Sequence, residues 1–72
     1  MIGIIGAMEK EISKLKENMD NKEIQTIAGM EFVKGEISKK QVTVVRSGIG
    51  KVNAAACTQI LIYRFKVDAV IN

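Results

Sequence analysis

Two short stretches carry residue types that could do chemistry. The first is Gly6-Ala7-Met8-Glu9-Lys10-Glu11. It follows directly on the apolar, β-branched run Met1 to Gly6, so it is predicted to lie at the carboxyl end of a buried strand, where open α/β sheets bind their ligands. From Met8 the period changes. Met8, Ile12, Leu15 and Met19 recur at steps of 4, 3 and 4, which sets them on one face of a helix. At about 100° per residue, Glu11 falls roughly 60° from the centre of that stripe and Glu9 near 100°. Glu11 is therefore the acid nearest the core seam that still looks into a cleft, and a carboxylate there can hold or deprotonate a water. The same two acids would equally complement the positive end of the helix dipole. Residue type and spacing leave both readings open.

The second stretch is Ser47-Gly48-Ile49-Gly50-Lys51-Val52-Asn53, between a predicted strand and a predicted helix, where backbone N–H groups can cradle an anion. It is not a P-loop, because Val52 stands where Ser or Thr must follow the lysine. A dinucleotide fingerprint fails at Asn53, which occupies the third glycine position. The acid 20 residues beyond Gly48, Asp68, falls at the start of a strand rather than at its end. A tight structural turn is the plainer reading. Cys57 lies mid-helix among alanines and reads as a small buried core thiol. Met8 and Met19 read as core residues.

These stretches need a scaffold, and the patterning supplies one. Strands are predicted at Met1 to Gly6, Glu23 to Ala28, Met30 to Ile37 with Gly29 turning between them, Gln41 to Arg46 after a Ser38-Lys39-Lys40 turn, and Val67 to Ile71. Helices are predicted from Met8, closed by Asp20-Asn21, and over 51–65. The order β-α-β-β-β-α-β, helices alternating with strands around a central hairpin, points to an α/β fold with a mixed sheet and covering helices. Helix 51–65 is apolar nearly all round, which predicts burial on two sides and contact with another subunit.

Composition narrows the function classes. Ile and Val make up 18 of 72 residues against two Leu, a bias suited to strands buried on both faces. The net charge of +3 comes from 11 basic and 8 acidic residues that are interspersed. With only Phe32, Tyr63 and Phe65 as aromatics there is no basic, stacking surface for nucleic acid. No apolar run approaches the roughly 18 residues of a membrane span, and no basic residue precedes the apolar start as in a signal peptide. One cysteine and no histidine argue against a disulfide framework or a zinc site and for a reducing cytoplasm. A doubly covered α/β sheet normally takes ~100 residues or more, so these 72 read as the opening part of a single larger domain.

Taken together, MIGIIGAMEKEI, MEFVKGEI, SGIGKVNAA and VDAVIN resemble, in order and spacing, the N-terminal part of the 5′-methylthioadenosine/S-adenosylhomocysteine nucleosidase family. That family sits within the nucleoside phosphorylase-like superfamily. The resemblance covers all 72 residues; each segment alone is weak, and the set is specific. It implies the N-terminal part of a three-layer α/β/α sandwich with a mixed sheet. It further implies hydrolysis of an N-glycosidic bond through an oxocarbenium-like transition state, releasing adenine and the thioribose without cofactor or metal. By position, Glu11 matches the family's water-activating glutamate. Ala7 and Met8 match residues lining the water and ribose region, and Ile49 matches an apolar contact to the alkylthio end. Phosphorylase relatives hold phosphate with an arginine in the segment corresponding to the first helix. GAMEKEISKLK has none, which favours water as nucleophile.

The implied partners are a nucleoside substrate and a second copy of the chain, a homodimer through helix 51–65, with no nucleic acid and no membrane. The family's adenine site, ribose-binding glutamate and leaving-group acid would lie beyond Asn72, so residues 1–72 alone are expected to be inactive. Two other readings stay open: a phosphorylase or a different nucleosidase of the same superfamily, and a non-enzymatic dimerisation or binding module.

Overall fold

Alternation along the strands decides which helix covers which face. The computed structural model describes residues 1–6, 8–47 and 51–71, with only the backbone described over 51–53. Its elements are β1 (Ile2–Gly6), α1 (Glu9–Glu17), β2 (Asp20–Ile27), β3 (Met30–Ile37), β4 (Lys40–Arg46), α2 (Lys51–Arg64) and β5 (Ala69–Ile71). The strands form one sheet in the order β2-β3-β4-β1-β5. β1 runs parallel to both β4 and β5, with Ile4 opposite Val44 and Ile71, while β2–β3 and β3–β4 are antiparallel. This is the expected mixed sheet.

Side chains of successive strand residues point to opposite faces, and here each face has its own helix. Ile12 of α1, with Met19, packs on Val33, Val42 and Val44. Cys57 and Leu61 of α2, with Phe65, pack on Ile5, Phe32 and Val45. Phe65 stacks on Phe32 with ring centroids 5.3 Å apart. The helices thus form the two outer layers of an α/β/α arrangement. Glycines in β1 set how closely they approach. A Cβ at Gly3 would lie 2.9 Å from Leu61 Cδ1, and one at Gly6 would collide with Ile12.

Several boundaries differ from the sequence expectation. Asp20 and Asn21 do not close α1. The helix stops at Glu17, with Asn18 as C-cap donating its side-chain amide to the Lys14 carbonyl (3.0 Å). Asp20 and Asn21 open β2 instead. A register irregularity between Asp20 and Glu23 and a positive φ of 53° at Asn21 absorb the bend, and Asn21 donates to Glu36 Oε1 at 2.8 Å. Met19 is buried as expected, but Met8 is 60% exposed. It is the residue before α1, in extended geometry (φ −105°, ψ 133°), so it leaves the stripe that its spacing predicted.

α2 ends one residue before Phe65. Lys66 takes φ 58°, a left-handed conformation that closes a helix, and the Val67 N–H returns to the Leu61 carbonyl at 3.2 Å. Among the described residues α2 packs on the sheet through Cys57 and Leu61, while Ile62 and Tyr63 are exposed. β5 is shorter than expected, because Val67 is a buried connector and Asp68 donates its N–H to the Met1 carbonyl at 2.8 Å.

Candidate functional site at the carboxyl edge of the sheet

β1, β2, β4 and β5 all point the same way, so Gly6, Ile27, Arg46 and Ile71 end at one edge. β1 and β4 are neighbours there. Gly6 pairs in register with Arg46, and the Ser47 N–H donates to the Gly6 carbonyl at 3.0 Å. From these adjacent ends the chain departs to opposite faces, into α1 after β1 and into α2 after β4. Such a switch point necessarily opens a crevice, and open α/β sheets bind ligands in it. The described residues that follow the two strand ends are Met8 and Ser47.

α1 starts at this edge, and Glu9 and Glu11 both fall in its first turn. Here they complement the helix dipole, as do Lys14 and Lys16 in its last turn. Met8 provides no side-chain cap. Glu9 turns sideways onto the sheet, where its Oε2 lies 2.9 Å from Arg46 Nη1. Its Oε1 accepts a 3.4 Å hydrogen bond from Ser13 Oγ. Lys16, seven residues on, pairs with Glu31 of β3 at 2.9 Å. The Glu9–Arg46 pair is more than half exposed on both sides, and such pairs are worth about 0–1 kcal/mol of stability. Beside them an open cleft of about 590 Å³ is lined by Glu9, Lys16, Glu31, Arg46, Ser47 and the Ala28-Gly29-Met30 turn.

Glu11 does not line this cleft. With Ile12 directed at the sheet, about 100° per residue puts Glu9 and Lys16 on the flank over β3 and β4 and Glu11 on the other flank, about 160° from Glu9. Glu11 is exposed, as is Met8. Ala7 and Ile49, the other two expected site residues, lie outside the described residues. Sequence reasoning passed over Arg46, Lys16 and Glu31. The i, i+7 relation of Glu9 and Lys16 was legible, but their partners belong to strands that only folding brings under α1.

Other features are accounted for elsewhere. Cys57 is a buried thiol, its pKa pushed up by that burial, and its Sγ lies 3.1 Å from Met30 Sδ. Asp68 sits at the opposite, amino-terminal edge. There the N-terminal ammonium donates to its Oδ2 at 2.8 Å and holds its carboxyl below the usual range, by that hydrogen bond first and by charge second. The position is wrong for a ribose-binding acid, so the dinucleotide reading fails on geometry. Among the described residues no group of His, Cys, Asp or Glu could hold a metal ion, and no helix is long and apolar enough to cross a membrane.

Known proteins resemble the chain along its whole length. A 5′-methylthioadenosine/S-adenosylhomocysteine nucleosidase of Shewanella sediminis is 55% identical over 71 residues, which are 99% of this chain and 31% of that protein. The nucleosidase of Colwellia psychrerythraea, solved in complex with adenine, superposes with a TM-score of 0.92 at 49% identity, over 96% of this chain and 28% of that one. The Streptococcus pneumoniae nucleosidase, solved with a transition-state inhibitor, MT-ImmA, also gives a TM-score of 0.92, at 44% identity over 99% of this chain and 31% of that one. The chain thus spans about a third of the length of the relatives it matches. A sequence model of the phosphorylase superfamily matches residues 1–72 throughout, and with the switch-point crevice and the mixed sheet between two helical layers, the chain belongs to that superfamily.

Proposed function

We propose that residues 1–72 form the N-terminal part of one domain of a nucleosidase that hydrolyses the N-glycosidic bond of 5′-methylthioadenosine and S-adenosylhomocysteine. The observation that carries the reading is Glu11 in the first turn of the helix leaving β1, at the switch point between β1 and β4. The names of the relatives supply the substrate class. In this reading Glu11 orients a water and takes its proton as the oxygen bonds to the anomeric carbon and the bond to adenine breaks. Ala7 and Met8 line the water and ribose region, and Ile49 meets the alkylthio group. The active protein is a cytoplasmic homodimer with α2 at or near its interface. Exposed Ile62 and Tyr63, beside the small Ala54-Ala55-Ala56 run, support that interface.

The test is Glu11→Gln in a full-length chain carrying these residues, followed by adenine release from methylthioadenosine. The amide keeps the shape and cannot accept the proton. Turnover is expected to fall by at least ~10²–10⁴-fold with nucleoside binding largely kept. Near-normal turnover would overturn the assignment.

A further inference from the structure

We infer that Glu9 and Lys16 are positioning residues that fix the rotation of α1 about its own axis and, through it, the place of the Glu11 carboxylate. The inference rests on the role of Glu11 proposed above.

The need for such a device is visible in how α1 is held. It has nine residues, too few for a helix that is stable unaided. Its first turn has no side-chain cap. Ile12 is its one fully buried side chain, with Leu15 half-buried beside it. Two apolar side chains one turn apart, Ile12 and Leu15, press a short rod to the sheet, but hydrophobic contact is non-directional and by itself sets the rotation less sharply than a directed polar contact does. The two ion pairs supply direction. Glu9 and Lys16 stand seven residues apart, about two turns, on the same flank of α1. They are tied to two different strands, through Arg46 of β4 and Glu31 of β3, each at 2.9 Å. Ser13 holds Glu9 from within the helix. One flank is therefore strapped at both ends, and Glu11 rides on the free flank.

Rotation is the motion to which Glu11 is most sensitive. A group ~6 Å from the helix axis moves about 1 Å for every ~10° of turn, and ~1 Å of misplacement can cost ~10²-fold in rate. Because exposed ion pairs add little to stability, losing the straps leaves a folded protein with a loosened carboxylate. Arg46 has a further role in this device. It is the last residue of β4, so the Glu9–Arg46 pair also ties the start of α1 to the carboxyl end of that strand.

The experiment uses a full-length chain carrying Glu9→Met and Lys16→Met together, which keep an unbranched apolar stem and remove the polar end of both straps. kcat is expected to fall about tenfold or more, with KM and the unfolding midpoint nearly unchanged. Arg46→Met should lower kcat, while Arg46→Lys, which keeps the charge, should recover most of it. Unchanged kcat in the double variant overturns the inference, as does a loss that follows the unfolding midpoint or appears in KM alone. Glu11→Gln is run alongside. If it is inactive while the double variant is normal, only the strap idea fails; if it turns over normally, the role of Glu11 fails and the strap with it.

Discussion

Replacing Gly6 with alanine tests whether α1 lies as close to β1 as the structure requires. A Cβ at Gly6 would run into Ile12 Cδ1 and come within 2.9 Å of Ile12 Cγ1. The Cδ1 methyl alone could swing aside, but Cγ1 moves only if χ1 of a β-branched, 1%-exposed side chain leaves its well, or if the helix lifts. Overpacking of this kind costs about 1–3 kcal/mol. Against that, alanine stiffens the unfolded chain by about 0.4–1 kcal/mol relative to glycine. The expected net loss is about 1–2 kcal/mol.

The structure also names the relief. Ile12→Val removes Cδ1, the nearest colliding atom, at a cost of about 0.5–1.5 kcal/mol by itself. The double variant Gly6→Ala/Ile12→Val should then be more stable than the sum of the two single losses predicts, by about 1 kcal/mol. Denaturant unfolding of a full-length chain and its three variants measures this directly. Because Glu11 is the residue before Ile12, adenine release should fall in Gly6→Ala and recover in the double variant. Strict additivity, or a neutral Gly6→Ala, would refute the contact and the helix placement drawn from it.

Asp68 predicts a pH signature. Its carboxyl is held below the ordinary range by the N-terminal ammonium, so its contribution to stability is fully present above the unfolded carboxylate pKa of ~3.9. That contribution is lost as pH falls through the lower folded value. The stability gap between the wild type and Asp68→Asn should be flat at neutral pH and close on acidification, and a gap that widened in acid would contradict the pairing. Cys57, buried with a raised pKa, should resist alkylation in the folded protein and react on unfolding; rapid labelling in native buffer would place it elsewhere. Residues 1–72 alone should release no adenine from methylthioadenosine, since the resemblance assigns leaving-group assistance to residues beyond Asn72. Release at an intact enzyme's rate would refute that division of the site.

Local pattern was enough for the element order. MIGIIG, apolar without alternation, reads as a strand covered on both faces, and it is paired on both sides under two helices. Gly29 at φ 76° is the turn its residue type announced, and the strand from Met30 to Ile37 begins and ends where expected. These features depend on period and backbone freedom, which neighbours in sequence determine. The place of Glu11 in the first turn of α1 was likewise legible; the role proposed for it comes from the resemblance.

Folding decided what lies far apart in the chain. Met8 fits the helical stripe by spacing, yet it precedes the first helical residue and stays exposed. Asp20 and Asn21 have the residue types of a terminator, but pairing with Glu36 draws them into β2. That β1 and β4 are neighbours whose connections leave on opposite faces follows from strand pairing across about 40 residues, and no local window contains it. Nor could one contain the partners of Glu9 and Lys16. Spacing sets the angle between Glu9 and Glu11 on their helix, but only strands arriving beneath it decide which way the pair is turned, because rotation of a helix is fixed by what it packs against.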